Sequence, residues 1–270
     1  MAAVVPMTKG KSAGAVPRFD DAAPEAAAKR SAAARRLEDQ PGFVLHSYPY
    51  SESSLIIETF TRAHGRVPLL AKGAKRPGSP LRGALLQFQQ VGFSWSGRGD
   101  LRNLVRAEWL GGIPVLSAKA LLCGFYLNEL ILKLLERDDP HERLFDQYAS
   151  AIAELASGRR EGHVLRAFEM ELLREIGYAV NLAIDAASGE GVDPAARYTY
   201  DVESGLRRVA PGEVAERELT GAAVLAIDKG DFSNPQVATQ AKHLMRSLID
   251  HHLNGRRIAT RQIFHSLQQT

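Results

Sequence analysis

Nine lysine and arginine residues lie between Arg62 and Arg106, with one acid, Asp100, among them. That stretch carries +8 in a chain whose total is only +3, which leaves the remaining residues at −5. Clustered with a single carboxylate, such side chains act first through their charge. Their chemistry is the neutralisation of a polyanion, most simply the phosphates of a nucleic acid. The alternative is a solvated basic face with no partner. The densest part runs from Ala71 to Gly83, where Lys72, Lys75, Arg76 and Arg82 alternate with glycine and proline. This composition reads as a flexible loop rather than a helix. Its cations can meet phosphates without reading bases. Arg66, Arg98, Arg102 and Arg106 extend the track, and Trp95, Phe93 or Tyr48 could stack on unpaired bases. Against stacking stands the alternation of Phe93 with Trp95, which also suits two side chains facing a core.

No constellation for covalent chemistry accompanies these cations. The chain has no phosphate-binding Gly-x-x-x-x-Gly-Lys-Ser/Thr loop, no Gly-x-Ser-x-Gly elbow and no His-Glu-x-x-His helix. Gly97-Arg98-Gly99 lacks the third glycine of a dinucleotide fingerprint. Glu169, Glu171 and Glu175 read as a solvated helix face paired with Arg174 and its neighbours. His251 and His252 are adjacent on a helix and diverge too far for one metal. Cys123 reads as a small core residue. A nuclease would need carboxylates beside the basic block, and only Asp100 and Glu108 are there. The expectation is a binding protein without catalytic residues, metal or cofactor. An RNA-binding or general nucleic-acid-binding protein remains the rival class.

The elements that must carry these side chains follow from hydrophobic period. Phe43–His46, Leu55–Phe60, Gly65–Leu70, Val91–Trp95 and Leu101–Leu110 alternate or are β-branched, and turn residues separate them. Five such strands with no helix-period segment between them predict a small closed barrel over residues 40–113. After Pro114 the period becomes helical. Leu116–Leu135 is apolar nearly all round, as in the middle of a bundle. Asp139, Pro140 and Glu142 predict an N-cap, N1 and N3, with Leu144, Tyr148, Ile152 and Leu155 inward and Gly158 as the stop. Gly162–Ile176 predicts a third helix ending at Gly177. Residues 183–213 are polar, with Tyr198-Thr199-Tyr200 as a short strand. Asn234-Pro235 opens a further helix with Val237, Ala241, Leu244 and Leu248 inward, and Ile258–Leu267 predicts the last. The expected class is α+β, a barrel over residues 40–113 followed by a helical domain over residues 114–270.

Other bounds are mild. The single cysteine excludes a disulfide framework and suits a reducing cytoplasm. No run of apolar residues is long enough for a membrane span, so no membrane partner is expected. The first 40 residues hold twelve alanines and no apolar stretch of signal-peptide type. Residues 1–39 are expected to be a disordered leader.

Several segments resemble the bacterial RecO family. They are His46-Ser47-Tyr48-Pro49-Tyr50-Ser51-Glu52-Ser53-Ser54-Leu55-Ile56, Phe60–Val67, Ala71–Arg76, Leu81-Arg82-Gly83 and Ser94–Leu101. Leu165–Glu169, Leu172–Tyr178 and Leu253–Arg261 continue the resemblance in order, from about residue 41 to 267. The resemblance implies an OB-fold barrel followed by a helical bundle, in a recombination mediator that binds single- and double-stranded DNA and anneals strands. It also implies partners: RecR, and the acidic C-terminal tail of single-stranded DNA-binding protein, with RecA loading as the outcome. It leaves a RecF-like partner open, and it places the protein at the nucleoid. For the tail, the helical domain offers Arg143, Arg159, Arg160, Arg166 and Arg174, without a basis for choosing among them. One departure stands out. Many family members hold zinc with two Cys-x-x-Cys pairs, and here those positions fall on Asp185 and Ser188, and near Arg207 and Ala210. A cysteine-free segment of this kind implies no metal.

Overall fold

Strands β1 (Leu37–Tyr50), β2 (Ser54–Thr61), β3 (Gly65–Ala71), β4 (Gln90–Ser96) and β5 (Arg102–Gly111) close into a barrel in the order β1-β2-β3-β5-β4. Four of the pairings are antiparallel, and a short parallel pairing of β3 with β5 completes the ring. This is the small closed barrel expected from the strand periods, and its five strands agree with the OB fold that the resemblance implies. The computed structural model describes residues 36–268, so the leader expectation falls outside it up to residue 35. Leu37, Glu38 and Asp39, assigned to that leader, belong to β1 instead. Leu37 pairs with Trp95, and the Asp39 amide donates to Ser94 Oγ.

Alternation along the strands supplies two buried faces. Val44, Ile57, Val67, Leu69, Val91, Phe93 and Trp95 fill the barrel, and Phe43, Leu45 and Phe60 point outward into the helices. Phe43 meets Phe145 and Tyr148 with ring centroids 5.6 and 5.0 Å apart. Each such side chain contributes about 1.5–3 kcal/mol by leaving water. A bulge between Val44 and His46 frees the Leu45 carbonyl from the ladder. It accepts instead from Gln87 Nε2 and Asn128 Nδ2, and Asn128 is held in turn by the Tyr148 hydroxyl.

The helical part comprises α2 (Ala118–Leu134), α3 (Glu142–Ala156), α4 (Glu161–Glu175), α5 (Gly221–Asp228), α6 (Pro235–His252) and α7 (Ala259–Gln268); α1 (Leu81–Ala84) is a short helix between β3 and β4. A small sheet in the order β7-β6-β8 joins β6 (Arg197–Asp201), β7 (Gly205–Arg208) and β8 (Leu219–Thr220). Gly158 and Gly177 end α3 and α4 in the left-handed region, as their positions predict. Asn234 caps α6 through the Gln236 amide with Pro235 at N1. Glu129 of α2 accepts from the Ala259 and Thr260 amides and so caps α7.

The start of α3 departs from expectation. Asp139 and Pro140 lie outside the helix, and His141 is the N-cap residue with no side-chain cap. Tertiary docking displaces the capping box. Arg137 bridges to Arg66, the Asp138 amide donates to the Arg66 carbonyl, and the Asp139 carbonyl lies where a Cβ on Gly65 would stand, at 1.8 Å.

Candidate nucleic-acid interface

The Lys72–Arg82 loop is built rather than slack, which corrects the flexible reading. Ala74 and Leu85 insert into one end of the barrel core, and the Lys75 amide donates to the Ser53 carbonyl. Successive turn hydrogen bonds follow at Arg76, Ser79 and Arg82, and Leu81–Ala84 close into a helical turn. The loop thus holds Lys72, Lys75, Arg76 and Arg82 on the surface while its apolar residues plug the barrel. Lys75 Nζ reaches the Ser51 carbonyl in the β1–β2 turn, close in sequence to the half-exposed Tyr48 and Tyr50.

Ion pairing divides the nine cations. Arg62 pairs with Glu142 and Asp146, Arg66 with Glu58, Arg102 with Asp138 and Arg106 with Glu108. Among the described residues Lys72, Lys75, Arg76, Arg82 and Arg98 pair with no acid, and all five are exposed. These are the cations available to phosphates. Arg106 remains half-exposed on β5, with its charge offset by Glu108.

Two predicted contacts are corrected. Arg66 is buried, and its guanidinium donates to the Leu132 and Leu135 carbonyls at the end of α2 as well as to Glu58. It fastens the barrel to the bundle and does not face solvent. Trp95 is 1% exposed and belongs to the barrel core, so it has no face to offer a base; Phe93 is equally enclosed. His64 packs edge-on against Trp95 at 5.4 Å, in a shallow cavity of about 570 Å³ shared with Arg36, Arg98 and Arg102. Burial, followed by the Arg102 charge, holds the His64 imidazole below its ordinary pKa, so it adds no charge there at neutral pH.

A second cavity, of about 470 Å³, opens between α2, α4, α6 and α7. Leu165 and Phe264 wall it; Lys119, Lys242 and Arg246 stand at its edge. Its lining includes Glu169, read from sequence as solvated but 1% exposed here. Glu169 pairs with Arg166 at 2.6 Å and accepts from the Tyr126 hydroxyl at 2.8 Å. Burial pushes the Glu169 carboxyl upward, and Arg166 and Tyr126 oppose it. Among the described residues Arg166 Nε and Glu169 Oε2 have no hydrogen-bond partner. Burial also pushes the nearby Cys123 thiol up to about 11, which fits an inert core residue. Of the five helical-domain arginines singled out in the sequence, only Arg166 lines this cavity. The available signal was a second charge concentration: Lys242, Arg246, Arg256, Arg257 and Arg261 against Asp250 alone.

Comparison with known proteins fits this arrangement. Residues 36–113 match the family described as "Recombination protein O N terminal", and residues 116–262 match "Recombination protein O C terminal". The chain belongs to the RecO family. It is 47% identical over 249 residues to the DNA repair protein RecO of Ralstonia nicotianae, covering 92% of this chain and 91% of that one. It is 45% identical over 235 residues to the DNA repair protein RecO of Aromatoleum aromaticum, covering 87% and 98%. The family's role is in DNA repair and recombination. Among the described residues no helix is long and apolar enough to cross a membrane.

The zinc site whose positions the resemblance aligned to Asp185, Ser188, Arg207 and Ala210 does not fit this chain. Asp185, at the first ligand position, is saturated by protein donors. Its Oδ1 accepts from the Ala187 and Ser188 amides, and its Oδ2 from the Arg208 amide. Ser188 Oγ accepts from the Glu190 amide, and Arg207 brings a cation that pairs with Glu213. Glu213 also accepts from the Ala210 amide, and with Arg207 beside it its carboxyl falls to about 2. Burial raises the Asp185 carboxyl, but the amides of Ser188, Arg208 and Ala187 together hold it below its ordinary value. Carboxylates clasp the two loops directly, and among the described residues no three His, Cys, Asp or Glu side chains converge on one point.

Proposed function

We propose that this protein is a non-catalytic recombination mediator. It binds single- and double-stranded DNA, anneals complementary strands and, with RecR, helps RecA load onto strands coated by single-stranded DNA-binding protein. The observation that carries the reading is the set of five exposed, unpaired cations pinned to one OB-type barrel. Annealing needs no bond chemistry. A surface that neutralises two backbones lowers their repulsion and raises their local concentration, while pairing edges stay free. Such a protein works at the nucleoid.

The cavity between α2, α4, α6 and α7 supports the protein-partner half of the reading. Apolar walls suit a short peptide whose apolar side chains enter while its carboxylates meet Lys242, unpaired among the described residues, with Lys119 and Arg246 beside it paired to Glu161 and Asp250. The acidic tail of single-stranded DNA-binding protein has that chemistry.

The deciding experiment is annealing of complementary oligonucleotides without nucleotide or metal, with bare strands and with coated strands. Wild-type protein is expected to anneal both. A Leu165→Asp/Lys242→Glu variant is expected to anneal bare strands and fail on coated ones. Failure of the folded wild type on bare strands overturns the mediator reading. Tighter binding to RNA than to DNA of the same sequence would favour a general OB-type binder.

A further inference from the structure

An exposed indole stands beside the basic loop, outside every residue assigned above. Trp109, near the end of β5, is 59% exposed, whereas the chain's other tryptophan, Trp95, is enclosed. A bulge places Gln90 opposite Gly111 and Val91 opposite Trp109, which leaves Leu110 without a partner. Strand alternation breaks there, and Trp109 and Leu110 are both left at the surface. The indole is held in place: its Nε1 donates to Gln89 Oε1 at 3.1 Å, and Gln89 Nε2 donates to the Ile113 carbonyl at 2.8 Å. It borders a groove of about 650 Å³ floored by Phe88, Leu116 and Phe125 and flanked by the exposed Leu86. Gly83 and Ala84 of α1 form another wall, which places the exposed Arg82 next to the groove in sequence. The nearest acid along β5, Glu108, is neutralised by Arg106.

We propose that Trp109 and this groove take unpaired bases of a single strand whose phosphates run along Arg82 and the Lys72–Arg76 turn. A fixed aromatic face next to unpaired cations is what a sequence-tolerant single-strand site requires, because every base has a π-face and every nucleotide a phosphate. A protein segment would use the apolar floor but would leave those cations without a counter-charge. A duplex, with its bases stacked inside, cannot use the indole, so the groove separates single from double strands. The inference rests on the nucleic-acid reading given above.

Intrinsic fluorescence tests it, because the solvent-exposed component of tryptophan emission comes from Trp109. Wild-type protein is titrated with a thymine-only oligonucleotide while a labelled copy of the strand reports binding independently by anisotropy. The exposed emission is expected to be quenched along the binding curve, and Trp109→Phe is expected to bind with that quenching absent. Trp109→Ala is expected to weaken single-strand affinity by about fivefold to a hundredfold, with duplex affinity unchanged. Strand binding by anisotropy with unquenched Trp109 emission and an unaffected Trp109→Ala variant overturns the inference alone. Loss of RecR binding in Trp109→Ala with strand affinity intact also overturns it and makes the groove a protein interface. No strand binding by the wild type overturns the underlying nucleic-acid reading, and this inference with it.

Discussion

Arg66 and Arg82 belong to the same basic block and the same barrel, yet one is enclosed and the other free. Arg66 lies where β3 meets α2, and its two terminal guanidinium nitrogens donate to Glu58 and two helix-end carbonyls. Arg82 lies on the loop that plugs the barrel's end, exposed and unpaired among the described residues. The face of the barrel around Phe43, Phe60 and Arg66 is given over to the bundle, and the plugging loop carries the free charge. Cation count locates a polyanion site only after the ion pairs are subtracted.

The comparison breaks if Arg66 binds nucleic acid. Arg66→Ala is expected to cost about 3 kcal/mol of stability, because Glu58 keeps only Arg137 and two buried carbonyls lose their donor. Denaturant unfolding measures this, and salt dependence of DNA affinity is expected to stay unchanged. The opposite pattern is expected for a Lys72/Lys75/Arg76 triple alanine variant. Its unfolding midpoint should match wild type, while the slope of log affinity against log salt on single strands falls by about 2. The carboxylate clasp sharpens the contrast between charges that fold and charges that bind. Asp185→Ala should lose about 1–3 kcal/mol by orphaning three amides, with chelators leaving wild-type unfolding unchanged. The folded Asp185 and Glu213 carboxyls lie below their ordinary values, so their contribution is full above about pH 4.5. It declines as acid protonates them, toward about pH 2 for Glu213, and an acid titration of unfolding follows it. The smallest effect is expected at Arg106. Because it is exposed and paired with Glu108, Arg106→Ala should leave the unfolding midpoint close to that of wild type. It should lower the salt slope less than Arg98→Ala does.

Much of this architecture was legible beforehand because it depends on local pattern. Alternation, β-branched composition and turn spacing marked parts of all five barrel strands, and Gly158, Gly177 and Asn234-Pro235 marked helix ends that the structure keeps. The site was legible only as a region. Nothing near Arg66 in sequence announces that α2 will end against it, and Glu58 follows an ordinary strand pattern. Trp95 alternates with Phe93, which suits a core and a stacking platform equally until the barrel closes. Glu169 has helix neighbours of a solvated residue, and it is met instead by Tyr126, itself held by Arg261, both distant in the chain. The Asp139 cap failed because docking of residues 137–139 on β3 outweighs about 1 kcal/mol of capping. Trp109 was missed because a bulge, which strand period does not encode, brings it to the surface.

Gly65 has a mechanical consequence. Its missing side chain lets the Asp139 carbonyl press against the β2–β3 turn, and Arg62 and Arg102 by ion pairs and Arg66 by hydrogen bonds to the Leu132 and Leu135 carbonyls stitch the same seam. Barrel and bundle are therefore one lever without a hinge. The basic loop and the cavity between α2, α4, α6 and α7 thus keep a fixed separation, like two jaws cut in a single plate.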